Sequence, residues 1–193
     1  MQPDTQPSDV TSSPPSPSRS RGRALGLFAA VAVTAYGVDL VTKVLAVAEL
    51  EDRAPVQVVG ELLQLTLVRN PGAAFSTGTS YTLVLSVIAL VAVLVVLYVA
   101  RTLTDKLWAI GLGCLLGGVL GNLTDRLFRA PGPLRGHVID WIQLPSWPVF
   151  NVADMCIDAA AVVIVLQALR GVSPSGRREQ RESREAERGG DAA

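Results

Sequence analysis

The chain has 193 residues, 49% of them apolar and 18% charged, with a formal net charge of zero, so nothing in its composition points to nucleic acid. The charges crowd into both ends and two internal stretches and leave four long apolar runs almost bare. A soluble fold would spread charge over every amphipathic element, so the distribution favours a small polytopic membrane protein.

Residues 1–23 are rich in Pro and Ser without apolar periodicity, which predicts a disordered cytoplasmic tail. The first apolar run, Ala24 to about Ala48, follows Arg19, Arg21 and Arg23 as a signal peptide would. It is longer than the usual h-region of about 7–15 residues, and is therefore read as a retained span. Pro55 to Asn70 alternates apolar and polar residues around Gly60 and Glu61, the pattern of a small hairpin. Tyr81 to Ala100 carries no charge and is long enough to cross a hydrocarbon core of roughly 30 Å at about 1.5 Å per residue. The third span runs from Leu107 to about Leu123. Within it Gly113, Gly117 and Gly121 recur every four residues and offer another helix a face without side chains. The segment from Leu127 to Phe150 holds Trp141, Trp147 and several prolines; its tryptophans suit either the lipid interface or the guiding of a substrate. The fourth span, about Val152 to Leu169, carries Asp154 and Asp158 inside it. Residues 171–193, where Arg and Glu alternate from Arg177 to Arg188, read as a charged disordered cytoplasmic tail. Cys114 and Cys156 both fall in apolar runs, the setting of buried structural thiols.

Basic residues precede the first span, link the second and third (Arg101, Lys106) and follow the fourth (Arg170, Arg177, Arg178). The positive-inside rule and the even span count place both termini in the cytoplasm. Residues 49–80 and 124–151 then lie outside. The expected architecture is an all-α integral membrane protein of four transmembrane helices with a small extracytoplasmic β-hairpin or sheet. In that orientation Asp39 and Lys43, Asn70, Asn122, Asp125 and Arg126, Asn151 and Asp154 all gather at the outer end, joined by Asp140 from the outer loop. Each has an ordinary reading as a helix cap or an i,i+4 ion pair. Ionisable groups near hydrocarbon are costly, however, and so many at one end point to a functional site.

The chemistry open to the cluster is narrow. The chain has one histidine, His137, and no cysteine at the cluster, and Ser76 and Ser80 lack an evident base, which leaves nucleophilic catalysis poorly supported. Binding of a metal by carboxylates stays open, without the Cys and His spacing of a zinc site. Two facing aspartates can share a proton, one activating water while the other protonates the carbonyl oxygen or leaving amine. A carrier would need polar groups through the bilayer, yet Val91 to Ala100 and Ala159 to Leu166 supply almost none. An assembly subunit held by the glycine face would not need the aspartates.

Five blocks carry a resemblance: DLVTK at 39–43, NPGAAF at 70–75, GGVLGNLTDR at 117–126, HVIDW at 137–141 and FNVAD at 150–154. In this order they resemble the lipoprotein signal peptidase family (signal peptidase II), over roughly residues 25 to 170. The resemblance implies a four-helix intramembrane aspartyl protease of the bacterial inner membrane. Such a protease removes the signal peptide of a prolipoprotein just before a diacylglyceryl-modified cysteine. Its partners would be that substrate and membrane lipid, with no cofactor. By the same resemblance Asp140 and Asp154 are the catalytic pair, and Asp39, Lys43, Asn70, Asn122, Asp125, Arg126 and Asn151 orient the pair, hold the peptide or brace the outer elements. Asp158, one turn after Asp154, matches no motif.

Overall fold

The computed structural model describes residues 17–72 and 80–177. Four long apolar helices accompany a small sheet in the order α1 (Pro17–Leu50), β1 (Val56–Val59), β2 (Leu63–Asn70), α2 (Ser80–Ala100), α3 (Lys106–Phe128), β3 (Val138–Gln143) and α4 (Val152–Leu169). Each helix is long and apolar enough to cross a membrane. Their outward faces carry large aliphatic side chains, such as Val33, Leu94, Val162 and Leu169. Water would not tolerate so much exposed apolar surface, and the molecule is a multi-pass membrane protein.

Helix α3 is the hub, packing against α1, α4 and α2. The reason is its lack of side chains. A Cβ at Gly113 would lie 2.9 Å from the Phe28 carbonyl oxygen, and one at Gly117 would lie 2.7 Å from that of Ala32. The expected glycine face therefore exists and seats α1 through its small or buried stripe Ala24, Phe28, Ala32 and Ala35. A second glycine face serves α4: a Cβ at Gly111 would meet Val163 and one at Gly118 would meet the Ala153 carbonyl. Both contacts rest on close backbone approach, the usual device where lipid removes the hydrophobic drive between helices.

Four boundaries differ from the sequence reading. Helix α1 starts at Pro17, so the last residues of the segment expected to be disordered are helical. Proline suits a first helical turn, where its missing N–H has no helical acceptor to satisfy. Helix α3 continues past Leu123 to Phe128, which puts Asp125 and Arg126, like Asn122, inside its last turns rather than beyond its end. Asp140 stands on strand β3, not in a loop. The expected hairpin is thus two strands of a three-stranded antiparallel sheet, ordered β1-β2-β3. Finally, the chain after α4 is structured as far as Arg177. Thr104 N and Asp105 N donate to Pro174 O, and the Trp108 indole N–H donates to Val172 O at 2.8 Å.

Candidate active site

Lys43 organises the cluster. It is fully buried on α1, and its ammonium has three donors that meet three acceptors: Asp39 at 2.8 Å, Asp125 at 2.9 Å and Asn122 Oδ1 at 2.9 Å. A buried cation is tolerable only when fully paired in this way. Asp39 also accepts from Ala153 N at 2.9 Å in the first turn of α4. A Cβ at Gly121 would lie 2.3 Å from Asp39 Oδ2, so glycine is what lets that carboxylate slip between α3 and α4. Asp125 accepts from Ile139 N at 3.2 Å and pairs with Arg129. These three residues tie α1, α3, α4 and β3 together; among the described residues none of their hydrogen bonds or ion pairs reaches Asp140 or Asp154.

The asparagines make those contacts. Asn70, at the end of β2, donates to Asp140 Oδ2 at 2.7 Å. Asn151 donates to Asp140 Oδ1 at 2.6 Å and to Asn122 Oδ1 at 3.2 Å. Asn122 donates to Asp154 Oδ1 at 2.8 Å. Asn151 and Asp154 also form a capping box at the head of α4, each side chain holding the other's backbone N–H. The two carboxyl groups are therefore joined through two asparagine amides. Strand β3 is brought to this point by pairing with β2 and by a return bridge in which Ile142 and Phe150 exchange hydrogen bonds. The turn then leads directly into Asn151.

The two carboxyls differ in surroundings. Asp140 is 2% exposed, and Asp154 is only partly covered. Burial, followed by the nearby charge of Asp154, outweighs the Asn70 and Asn151 hydrogen bonds and Lys43, and lifts the Asp140 carboxyl to about 6. Arg126 lies within electrostatic reach of Asp154, Asp140 and Asp125. Its NH1 donates weakly to Asn122 O, at 3.4 Å, and its buried Nε has no hydrogen-bond partner among the described residues. All nine residues singled out from the sequence thus lie in one connected region at one end of the bundle. Asp158 is exposed on α4 outside that network. Of the NPGAAF block, Ala73 to Phe75 lie outside the described residues, as do Ser76, residues 1–16 and residues 178–193.

Comparison with known proteins follows the same boundaries. The family model for signal peptidase (SPase) II matches residues 31–170, a stretch that holds every residue of the cluster. The chain belongs to the signal peptidase II family. It is 48% identical over 168 residues to a lipoprotein signal peptidase of Rhodococcus jostii, covering 87% of this chain and 84% of that one. It is 50% identical over 149 residues to that of Mycobacterium avium, covering 77% and 82%. A solved structure of a bacterial membrane enzyme shares the fold with a TM-score of 0.67 at 24% identity, covering 75% of this chain and 94% of that one.

Within this signal peptidase II framework the sequence reading missed three groups. Arg129, the second cation on Asp125, was marked by its i,i+4 spacing. Gln167, buried near the other end of α4, donates to the α3 cap Asp105 at 2.9 Å. Thr82 and Ser86, both fully buried, are hydroxyls one turn apart within an apolar stretch of α2, and their spacing was the available signal.

Proposed function

We propose that this chain removes signal peptides from prolipoproteins by an aspartyl mechanism, with Asp140 and Asp154 as the catalytic pair. Removal of the signal peptide follows from the family. The aspartyl chemistry rests chiefly on one observation: two carboxyls from different elements are held together by the Asn151 and Asn122 amides. In this reading Asp140, buried and with a carboxyl near 6, carries the proton that the pair shares. Asp154, the more accessible of the two and surrounded by the donors Asn122 Nδ2 and Asn151 N, takes the proton of the attacking water. As water adds to the peptide carbonyl, Asp140 donates towards the oxygen that gains charge. Collapse of the tetrahedral intermediate then passes a proton to the leaving amine. Arg126 supports the developing negative charge or the substrate backbone, its Nε having no partner among the described residues.

The remaining polar residues act on geometry. Asn70, Asn122 and Asn151 fix the carboxyl orientations, and the Asp39, Lys43 and Asp125 hub fixes the elements that carry them. The orientation proposed for the chain keeps both termini in the cytoplasm and turns the site and the sheet to the outer face, where the bond before a lipidated cysteine would lie. The substrate would then arrive laterally with its lipid in the outer leaflet. Asp140→Asn and Asp154→Asn each keep the shape of the site and remove one proton-handling group. Each should abolish cleavage of a lipidated prolipoprotein while the protein still inserts in the membrane. Near wild-type processing by either variant would refute the assignment.

A further inference from the structure

Helix α2 faces lipid along most of its length, with Val84, Val87, Ile88, Val91 and Leu94 exposed. Near its start, however, two hydroxyls one turn apart are wholly buried, and each reaches a different strand connection. Thr82 Oγ1 donates to Pro71 O at 2.5 Å. Ser86 Oγ donates to Leu134 O at 2.7 Å, with the Thr82 carbonyl of its own helix as a second acceptor at 2.9 Å. The two acceptors sit at informative places. Pro71 directly follows Asn70, which holds Asp140 and whose Oδ1 accepts from Gly72 N at 2.8 Å. Leu134, at a φ of 62°, belongs to the turn that leads into β3, the strand carrying Asp140. Asn70 and Val138 are opposite one another at that end of the β2 and β3 pair. A hydroxyl that only needed a partner in the bilayer could bond the carbonyl four residues back in its own helix; Ser86 has that acceptor in Thr82 O and still reaches Leu134 O. Thr82, the third residue of α2, has no helical carbonyl four residues back and donates to Pro71 O instead.

We propose that Thr82 and Ser86 are positioning residues for the cleavage reaction: the α2 hydroxyls hold the ends of β2 and β3 so that Asn70 stays on Asp140. The inference rests on the aspartyl reading above. Without the Thr82 bond the Pro71 carbonyl loses the donor it has among the described residues, the Asn70–Gly72 turn loosens and the Asn70 amide leaves Asp140 Oδ2 for part of the time. The groups facing Asp140 are then Asn151, Asp154, Lys43 and Arg126. Loss of the Asn70 donor, which favours the ionised carboxylate, raises the pH at which the pair gives up its proton.

The test uses the full chain in detergent with a lipidated prolipoprotein peptide. Thr82→Val should lower kcat about tenfold, the scale of one well-placed hydrogen bond, with KM changed less than about twofold. It should also move the alkaline limb of the pH profile upward, and Thr82→Ser should restore both. In an Asn70→Ala background the same substitution should have little further effect, because the bond it removes acts through Asn70. Ser86→Ala should lower kcat in the same direction and serves as the test should Thr82→Val fail to fold. Thr102→Val, the same change at an exposed threonine in the turn after α2, should leave kcat and the limb unchanged. The inference is overturned if Thr82→Val or Ser86→Ala alters only the yield of folded protein, or if the Thr82 and Asn70 effects are fully additive. Should Asp140→Asn remain active, the aspartyl reading fails and this inference with it; if Asp140→Asn is inactive and the hydroxyl variants are normal, only this inference fails.

Discussion

Asp140 combines burial with a carboxyl lifted to about 6 from an ordinary 3.8, and two consequences at the residue scale follow. The first concerns rate. If the pair must hold one proton to act, kcat/KM should fall on the alkaline side as the pH rises through about 6, with a slope near one. A profile flat from pH 5 to 8 would contradict a shared proton. The second concerns stability. At about 1.4 kcal/mol per unit, the lifted pKa corresponds to a folding penalty on the order of 3 kcal/mol once Asp140 is ionised. That penalty is absent below about pH 3.8, where the carboxyl is protonated folded or unfolded. It grows as the pH rises to about 6 and is constant above. Asp140→Asn removes the charge but turns one oxygen that accepts a hydrogen bond into an amide that cannot. The variant should therefore be more stable than the parent by about 1–2 kcal/mol at neutral pH, and in acid, where only the lost acceptor counts, the gain should disappear or turn into a loss of similar size. Thermal denaturation in detergent at pH 7 and pH 4 measures both values.

At the scale of elements, the α3 contacts make a sharp comparison. A Cβ at Gly118 would stand 2.5 Å from the Ala153 carbonyl oxygen and 2.9 Å from Ile157, which forces the head of α4, with Asp154 on it, away from α3. Gly118→Ala should cost about 1–3 kcal/mol and depress cleavage beyond the loss of folded protein. Gly26→Ala, at a helical site with nothing within 4 Å, should be neutral or stabilising by up to about 1 kcal/mol. Equal effects of the two would refute the packing account. The same elements mark what the sequence could tell. The spans, the glycine repeat and the Asp39–Lys43 pair were legible because their signals are local: unbroken apolar runs, a four-residue period, i,i+4 spacing. Strand β3 was not legible, since its short run between Pro133 and Pro145 becomes a strand only by pairing with the distant β2. The asparagine bridge was equally hidden. Asn122 and Asn151 could be picked out as polar residues near a membrane face, but which carboxyl each would hold depends on how α3, α4 and β3 meet.

At the scale of the whole molecule, orientation and the ends of the chain can be tested separately. With both termini cytoplasmic, a cysteine placed at Arg53 should react with an impermeant thiol reagent added from outside the cell. Labelling at that position only from the cytoplasm would reverse the topology. The C-terminal segment divides at Arg177, whose backbone oxygen accepts from Ser173 N. Truncation after Arg177 should leave activity and stability intact. Truncation after Leu169 removes the Val172 and Pro174 acceptors from Trp108, Thr104 and Asp105, and should cost about 1–3 kcal/mol. If both truncations behave alike in thermal denaturation, the docking of residues 171–177 contributes nothing.

The central claim is that Asp140 and Asp154 act as one catalytic unit, and its most direct test is the cleavage rate of a lipidated prolipoprotein by Asp140→Asn, Asp154→Asn and the double variant, each confirmed as folded. Groups that share a single proton-transfer function lose it together. The account predicts that each single substitution reduces the rate to background and that the double variant is no slower than either. Substantial cleavage by one single variant, or a double variant slower by the product of the two single effects, would contradict it.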